Sequence, residues 1–393
     1  MQTTPKHAYY EFFAGGGMAR AGLGAGWDCL LANDFDEMKA RTYAENYGSD
    51  DLLLEDVGKV TVNDLPGSAD LAWASFPCQD LSLAGDYQGL GHRSSAVVTR
   101  SGTFWPFWNL MRGLLAEGRA PTLIVLENVI GVLTSRQGKD FTAICSAFSG
   151  AGYRFGAVVI DARHFVPQSR QRVFFVAVAP GHVVPKSLSE TGPSESWHPA
   201  ALCKAQDAIS TEAKRKWIWW NVAHPARRNM AFCDLIEEEP TGCRWHTKEE
   251  TKRLLSLMGT LHRSKVNEAK KAGRRMVGGV YRRTRQDEQG VKRQRAEVRF
   301  DDLAGCLRTP RGGSSRQTII VVDGDEIRSR LLSPREAARL MGLPEDYRLP
   351  PRYNDAYQVA GDGVCVPVVR HIAANLLEPI LAAGLKEELL AAE

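Results

Sequence analysis

The stretch Tyr9-Tyr10-Glu11-Phe12-Phe13-Ala14-Gly15-Gly16-Gly17 decides the reading of the fold. Its aromatic run predicts a strand, His7 to Phe12, that enters a glycine turn and opens a helix at Met18. Glycines in such a turn permit positive φ and let a ligand come close to the backbone. Outward from it, β-branched and aromatic runs predict strands at residues 28–32, 70–76, 122–126, 155–160 and 172–179, and amphipathic stretches predict helices over 38–46 and 107–117. Alternation at this spacing indicates βαβ units, hence an α/β fold with a mostly parallel sheet and helices on both faces.

After Pro180 the alternation stops. Residues 181–200 read as a linker, and the tract to about 325 mixes Trp, Arg and Gly without sustained periodicity. The expected domains are therefore 1–180, a smaller 181–325 with Trp217, Trp219, Trp220 and Trp245 as its core, and a return over 326–393. Ser333-Pro334-Arg335-Glu336 predicts a helix start, with Ser at the N-cap and Glu as capping-box partner, and Gly342 and Pro344 stop that helix. A further helix is expected between Val364 and Leu385.

With 44% hydrophobic and 24% charged residues, the 393-residue chain suits a globular protein. Its net charge of +4 is unevenly spread: Arg244 to Arg316 holds 20 Lys and Arg against 8 Asp and Glu, leaving −8 elsewhere. A basic module on an acidic body is the footprint of something that meets phosphates, although charge runs are also common on plain solvated surfaces. Eight scattered cysteines signal neither a disulfide framework nor a zinc ribbon. Cys233, Cys243 and His246 lack a convincing fourth ligand, so no metal is expected. No apolar run reaches membrane-spanning length, and the first residues lack a signal-peptide build, so no membrane partner and a cytoplasmic location are expected.

Two ends of a site can be read from the residues. Asn33-Asp34 closes the second strand, where a nucleotide-binding fold puts a carboxylate for ribose hydroxyls, and Asp56 could reach an adenine amine. Three glycines also make an ordinary tight turn, and the spacing is not that of a dinucleotide fingerprint. At the other end, strand 70–76 leads into Pro77-Cys78-Gln79, and strand 122–126 leads into Glu127-Asn128-Val129. A lone Cys is commonly a small buried hydrophobe and a lone Glu a helix cap, but both here face the crevice beside the glycine turn.

Phe13-Ala14-Gly15-Gly16-Gly17, Phe76-Pro77-Cys78-Gln79, Glu127-Asn128-Val129, Gln168-Ser169-Arg170-Gln171-Arg172 and Arg335-Glu336-Ala337-Ala338-Arg339-Leu340-Met341-Gly342, in that order, resemble the DNA cytosine-5 methyltransferase family. The resemblance implies a Rossmann-like catalytic domain using S-adenosylmethionine, giving S-adenosylhomocysteine, with a smaller target-recognition domain. It implies that Cys78 adds to carbon 6 of a flipped-out cytosine, that Glu127 hydrogen-bonds ring nitrogen 3 and the exocyclic amine, and that Arg172 and Arg170 contact and orient the base. Phe13, Gly15, Gly16, Gly17, Asp34, Phe35, Asp56, Val57, Pro77, Asp362 and Val364 are the implied cofactor residues, with the Phe35 ring packed on adenine. Gln79 and Ser82 would hold target-strand phosphates, and Arg308, Arg311, Ser314 and Arg316 of a glycine-containing loop would meet the major groove.

The implied partner is duplex DNA, bound by a monomer. For bacterial members a restriction endonuclease acts alongside without a stable complex. Gly361-Asp362-Gly363-Val364 departs from the family's Gly-Asn-Ser-Val, keeping one acceptor and adding a charge. Residues 87–103 form a longer loop than the family leads one to expect, either a lid or a passive insertion. A tRNA cytosine methyltransferase and a non-catalytic DNA-binding regulator on the same scaffold are the rival readings. The long basic insert argues against the first, and the joint presence of Cys78 and Glu127 against the second.

Overall fold

The computed structural model describes residues 6–76, 103–286, 290–307 and 316–384. Two compact units emerge. One comprises residues up to 160, 171–224 and 368 onward; the other comprises 161–170 and 225–367.

The first unit is built on seven strands, β1 (His7–Phe12), β2 (Trp27–Asp34), β3 (Leu52–Leu54), β4 (Leu71–Ala74), β5 (Leu123–Val129), β6 (Arg154–Asp161) and β7 (Gln171–Val178), in the order β3-β2-β1-β4-β5-β7-β6. Strands β1 to β5 pair in parallel, and β7 runs antiparallel to β5. The run Leu-Ala-Trp-Ala of β4 and the first six residues of β5 are buried throughout, as strands covered on both faces must be. The expected first strand has its expected ends, and the others are shifted by one to three residues. Helices α1 (Met18–Leu23), α2 (Glu37–Tyr47), α3 (Phe104–Ala116) and α4 (Lys139–Gly150) alternate with the strands. Phe104, Phe107 and Trp108 of α3 and Phe141 and Phe148 of α4 share one core with Tyr10, Phe12, Ala74, Leu126 and Phe175 of the sheet.

The boundary near residue 180 falls elsewhere in the contacts. Residues 181–224 pack with the first unit, and the segment read as a linker is anchored: Trp197 is buried, its carbonyl accepts from Val159 N and its indole donates to Val222 O. Residues 181–224 form the short ribbon of β8 (Ser189–Glu190) and β9 (Trp219–Trp220) and helices α5 (Ala200–Asp207) and α6 (Thr211–Lys216). Trp217 packs on Phe141 and Phe155, and Trp220 is fully buried, so these indoles serve the first core and not that of the basic module. Gly156 makes this possible, because a Cβ there would lie 1.9 Å from Ile218 O.

In the second unit, α7 (Lys248–Ser256) and α8 (Thr260–Lys271) precede a four-stranded antiparallel sheet of β10 (Met276–Gln286), β11 (Lys292–Arg299), β12 (Thr318–Asp323) and β13 (Glu326–Leu331), ordered β11-β10-β12-β13. Leu254, Met258, Val266 and Ala269 of the helices meet Val280, Ala296, Val298, Ile320 and Val322 of the sheet. Because β13 supplies the last strand, residues 326–367 group with this unit. Helices α9 (Pro334–Arg339) and α10 (Tyr353–Asp362) follow, and α11 (Val366–Ile372) continues as a π-helical turn, Ala373–Leu377, within the span expected to be helical.

The stretch Tyr353–Gly384 is long and apolar enough to cross a membrane by length and composition, but 56% of its most apolar window is buried inside the fold, as in a core helix. Helix α9 starts as expected. Ser333 Oγ accepts from Glu336 N, and the Glu336 carboxylate accepts from Ser333 N at 2.7 Å. The same carboxylate also meets the guanidinium of Arg330, both side chains being fully buried. Removing one member of such a pair strands the other charge. Glu336→Ala is expected to lower stability by about 3–5 kcal/mol, measured by chemical denaturation; a loss no larger than that of an exposed cap would contradict this.

Candidate active site

Strands β2, β1, β4 and β5 lie side by side and parallel, so their carboxyl ends open on one edge of the sheet. The strand order reverses between β1 and β4, and the crevice outside such a reversal is where open α/β sheets bind ligands. Register fixes the row: Phe12 pairs with Asn33 and with Ala74, and Ala74 pairs with Leu126. One residue further on, Asp34, Phe13, Ser75 and Glu127 therefore line this edge.

The turn after β1 is tightly constrained. Phe13 has φ +58°, rare for a residue with a Cβ and typical of backbone held in place at functional sites. Gly15 and Gly17 have φ +56° and +77°, and a Cβ on Gly17 would lie 2.4 Å from the Tyr47 ring. Gly16 completes the turn between them. Asp34 fastens this turn to β2: one carboxylate oxygen accepts from Gly15 N at 2.8 Å and the other from Asp36 N at 2.9 Å. Burial raises its pKa, opposed by Lys39 and by those two amides.

A carboxylate has about four acceptor positions, so each oxygen of Asp34 keeps capacity for a hydroxyl. The adjacent Phe35 is 65% exposed, a large apolar ring facing solvent. After β3, Asp56 accepts from Gly58 N at 2.8 Å, while the Val57 side chain belongs to the core and leaves only its backbone for a ligand. An acceptor for a ribose diol, an open aromatic face and a glycine turn fit an adenosine moiety.

Under the turn sits an ionisable group that the sequence reading passed over. Glu11, the residue before Phe12, is buried with one carboxyl oxygen unpartnered, and burial pushes its pKa up to about 8 despite Arg20 and the amides of Arg20 and Ala19 at the start of α1. Arg20 in turn donates to Tyr43 and pairs with Asp51 at 2.5 Å.

At the other end of the row, Glu127 is buried and its Oε1 lies 3.0 Å from Arg172 Nε. The antiparallel course of β7 explains this meeting. Its first residues lie at the carboxyl end of β5, with Arg172 opposite Val129 and Phe174 opposite Glu127. Asn128, fully enclosed, donates from Nδ2 to Phe76 O at 3.1 Å and so ties the end of β5 to the chain just before Pro77-Cys78. The sequence reading quoted Asn128 without a role; an amide side chain at a strand end is the signal that could have given one.

Arg170 makes its contacts within the second unit. Only 2% exposed, it donates to Gly361 O and Gly363 O at 3.0 and 2.7 Å, clamping the end of α10 within the second unit. In that turn Val364 is buried and Asp362 accepts from Gln358 at 3.4 Å. Arg316 stacks on Tyr353, its Nε has no hydrogen-bond partner, and it lines a cavity of about 380 Å³ with Cys243, His246 and Glu250. Cys243 instead donates to Leu331 O and His246 meets Ser329, while Cys233 lies by Asp234. Pro77, Cys78, Gln79, Ser82, Arg308, Arg311 and Ser314 lie outside the described residues, as does the 87–103 loop apart from Thr103.

The C-5 cytosine-specific DNA methylase family matches residues 8–378 of the chain. This chain belongs to that family. Among curated relatives, it is 24% identical to the type II methyltransferase M.BsuFI of Bacillus subtilis over 97% of this chain and 75% of the relative. To M.NlaX of Neisseria lactamica it is 25% identical, over 93% and 95%. Among solved structures, Dnmt2 methyltransferase of S. pombe covers 95% of this chain and 99% of its own with TM-score 0.55 and 17% identity, a likeness of fold. The family makes the chain an S-adenosylmethionine-dependent DNA methyltransferase acting on cytosine carbon 5.

The Glu11 site gives this methyltransferase a pH signature. Folded Glu11 keeps its proton to about pH 8, whereas the unfolded chain releases it near 4.5. Between those values the folded state holds the extra proton, so stability falls as pH rises. Relative to Glu11→Gln, the wild type is expected to lose up to about 1.4 kcal/mol per pH unit over that window, read from denaturation midpoints; parallel curves for the two proteins would contradict it.

Proposed function

We propose that the enzyme methylates carbon 5 of a cytosine flipped out of duplex DNA at a specific short sequence, through a covalent bond from Cys78 Sγ to carbon 6. The observation that carries this is the pairing of Glu127 with Arg172 at 3.0 Å, next to an Asn128 that fastens Phe76, two residues before Cys78. Ring carbons are out of reach in a stacked duplex, so the base must leave the helix.

Thiolate addition at carbon 6 makes carbon 5 electron-rich, and loss of the carbon 5 proton then expels Sγ and restores the ring. S-adenosylmethionine supplies the electrophilic methyl group when bound. Glu127 hydrogen-bonds ring nitrogen 3 and the exocyclic amine, which stabilises the ring as charge develops. Arg172 holds the Glu127 carboxyl in orientation. Arg170, bonded to Gly361 O and Gly363 O, holds the turn that bears Asp362 and Val364, as a positioning residue. Asp34 takes the ribose hydroxyls, Phe35 covers one adenine face, Asp56 and the Val57 backbone meet the adenine edge, and Phe13, Gly15, Gly16, Gly17 and Pro77 shape the pocket. Gln79 and Ser82 contact phosphates, while Arg308, Arg311, Ser314 and Arg316 face the major groove. The type II names of the relatives support a role in modification beside a restriction endonuclease, and one chain supplies every group the reaction needs.

Labelled S-adenosylmethionine incubated with mixed-sequence duplex DNA tests the proposal. Wild type is expected to label carbon 5 at one short sequence and Cys78→Ser to label nothing. Glu127→Gln should lower kcat by roughly 100-fold or more, and Asp34→Ala should raise the KM for S-adenosylmethionine by about 10-fold or more. Label appearing on tRNA alone would transfer the reading to RNA, and tight DNA binding without label would make the chain a regulator.

A further inference from the structure

The segment between Leu307 and Gln317 carries the arginines proposed above to face the major groove, and buried polar side chains hold it at both ends. At the amino-terminal end the holder is Gln168, which is fully enclosed. Its Oε1 accepts from Leu307 N at 3.2 Å, and its Nε2 donates at 2.7 Å to Leu340 O, a carbonyl at the C-terminal end of α9. The backbone is stitched beside it: Ala304 N donates to Pro167 O at 2.8 Å and Ser169 N to Ala304 O at 3.0 Å.

At the carboxyl-terminal end, Gln317 N donates to the hydroxyl of the buried Tyr357 at 3.0 Å, and Gln317 Nε2 donates to Val280 O and Thr318 O. Arg316 lies over the ring of Tyr353, which stacks on Tyr357 one turn further along α10. Gly305 makes room for this arrangement, since a Cβ there would lie 2.3 Å from Tyr281 Oη and 2.9 Å from Gln317 Oε1.

Stability alone gives no reason for these groups. A buried amide or hydroxyl recovers in hydrogen bonds little more than it loses on leaving water, and Met or Phe would fill the same volumes. What a hydrogen bond adds is direction. Side chains that read base edges have to be held to about 0.5 Å, and a loop takes that precision from whatever grips its ends.

We infer that Gln168 and Tyr357 are specificity-determining positioning residues: they fix the two ends of the 308–316 segment to α9 and α10, and so set how sharply the enzyme separates its target sequence from near matches. The inference rests on the reading of that segment as the sequence-reading loop of a duplex-DNA methyltransferase.

The test compares kcat/KM of the full chain on its mapped duplex with kcat/KM on duplexes that differ by one base pair. Tyr357→Phe, which removes a single oxygen, and Gln168→Met are each expected to keep kcat on the mapped duplex within about 3-fold and to lower the ratio of the two kcat/KM values by about 10-fold. Trp197→Phe, which loses a buried hydrogen bond in the other unit, is expected to lower the denaturation midpoint and to leave the ratio unchanged. An unchanged ratio in Tyr357→Phe, losses equal on every duplex, or the same fall in ratio for Trp197→Phe would each overturn the inference. A wild type that methylates no DNA, or methylates it without sequence preference, defeats the underlying reading instead.

Discussion

Everything at the candidate site depends on the reversal of strand order between β1 and β4. Parallel strands bring their carboxyl ends to one edge, and the reversal leaves that edge open because connections lead away from it on either side. Asp34, Phe13, Phe76 and Glu127 are distant in sequence and become neighbours only because four strands stop in register. The antiparallel β7 adds a fifth contribution that no parallel strand could make, since its first residues and not its last reach the same edge. Short polar ties then hold the row: Asp34 to the glycine turn and Asn128 to Phe76.

Much of this was legible in the sequence because strands with both faces covered are written as unbroken apolar runs. His7–Phe12 had its expected ends, and the glycine turn, Asp34 and Glu127 fell where a strand end predicts a ligand edge. Legibility failed where a residue's partner is remote. Trp217 and Trp220 read as the core of a basic domain until β6 is seen beside them, with Gly156 leaving room for the backbone at Ile218. Arg170 and Arg172 are two residues apart in one short run, yet one holds the α10 turn and the other meets Glu127. No spacing rule separates those roles.

Glu336 shows the same limit in another form. Local sequence gave its capping partner, Ser333, three residues away, but gave no hint of Arg330, whose guanidinium is buried with it. Local rules and tertiary demands agree there, and one carboxylate serves both.

The solvent-facing ring of Phe35 has a thermodynamic consequence. Water ordered around an apolar surface of that size raises the heat capacity of the free protein, and a flat heterocycle that covers the ring releases it. Under the role proposed for Phe35, ligand entry at this edge carries a negative heat-capacity change, so its enthalpy grows more favourable on warming. The balance between ring burial and the polar bonds of Asp34 shifts with temperature, although no contact in the site is altered.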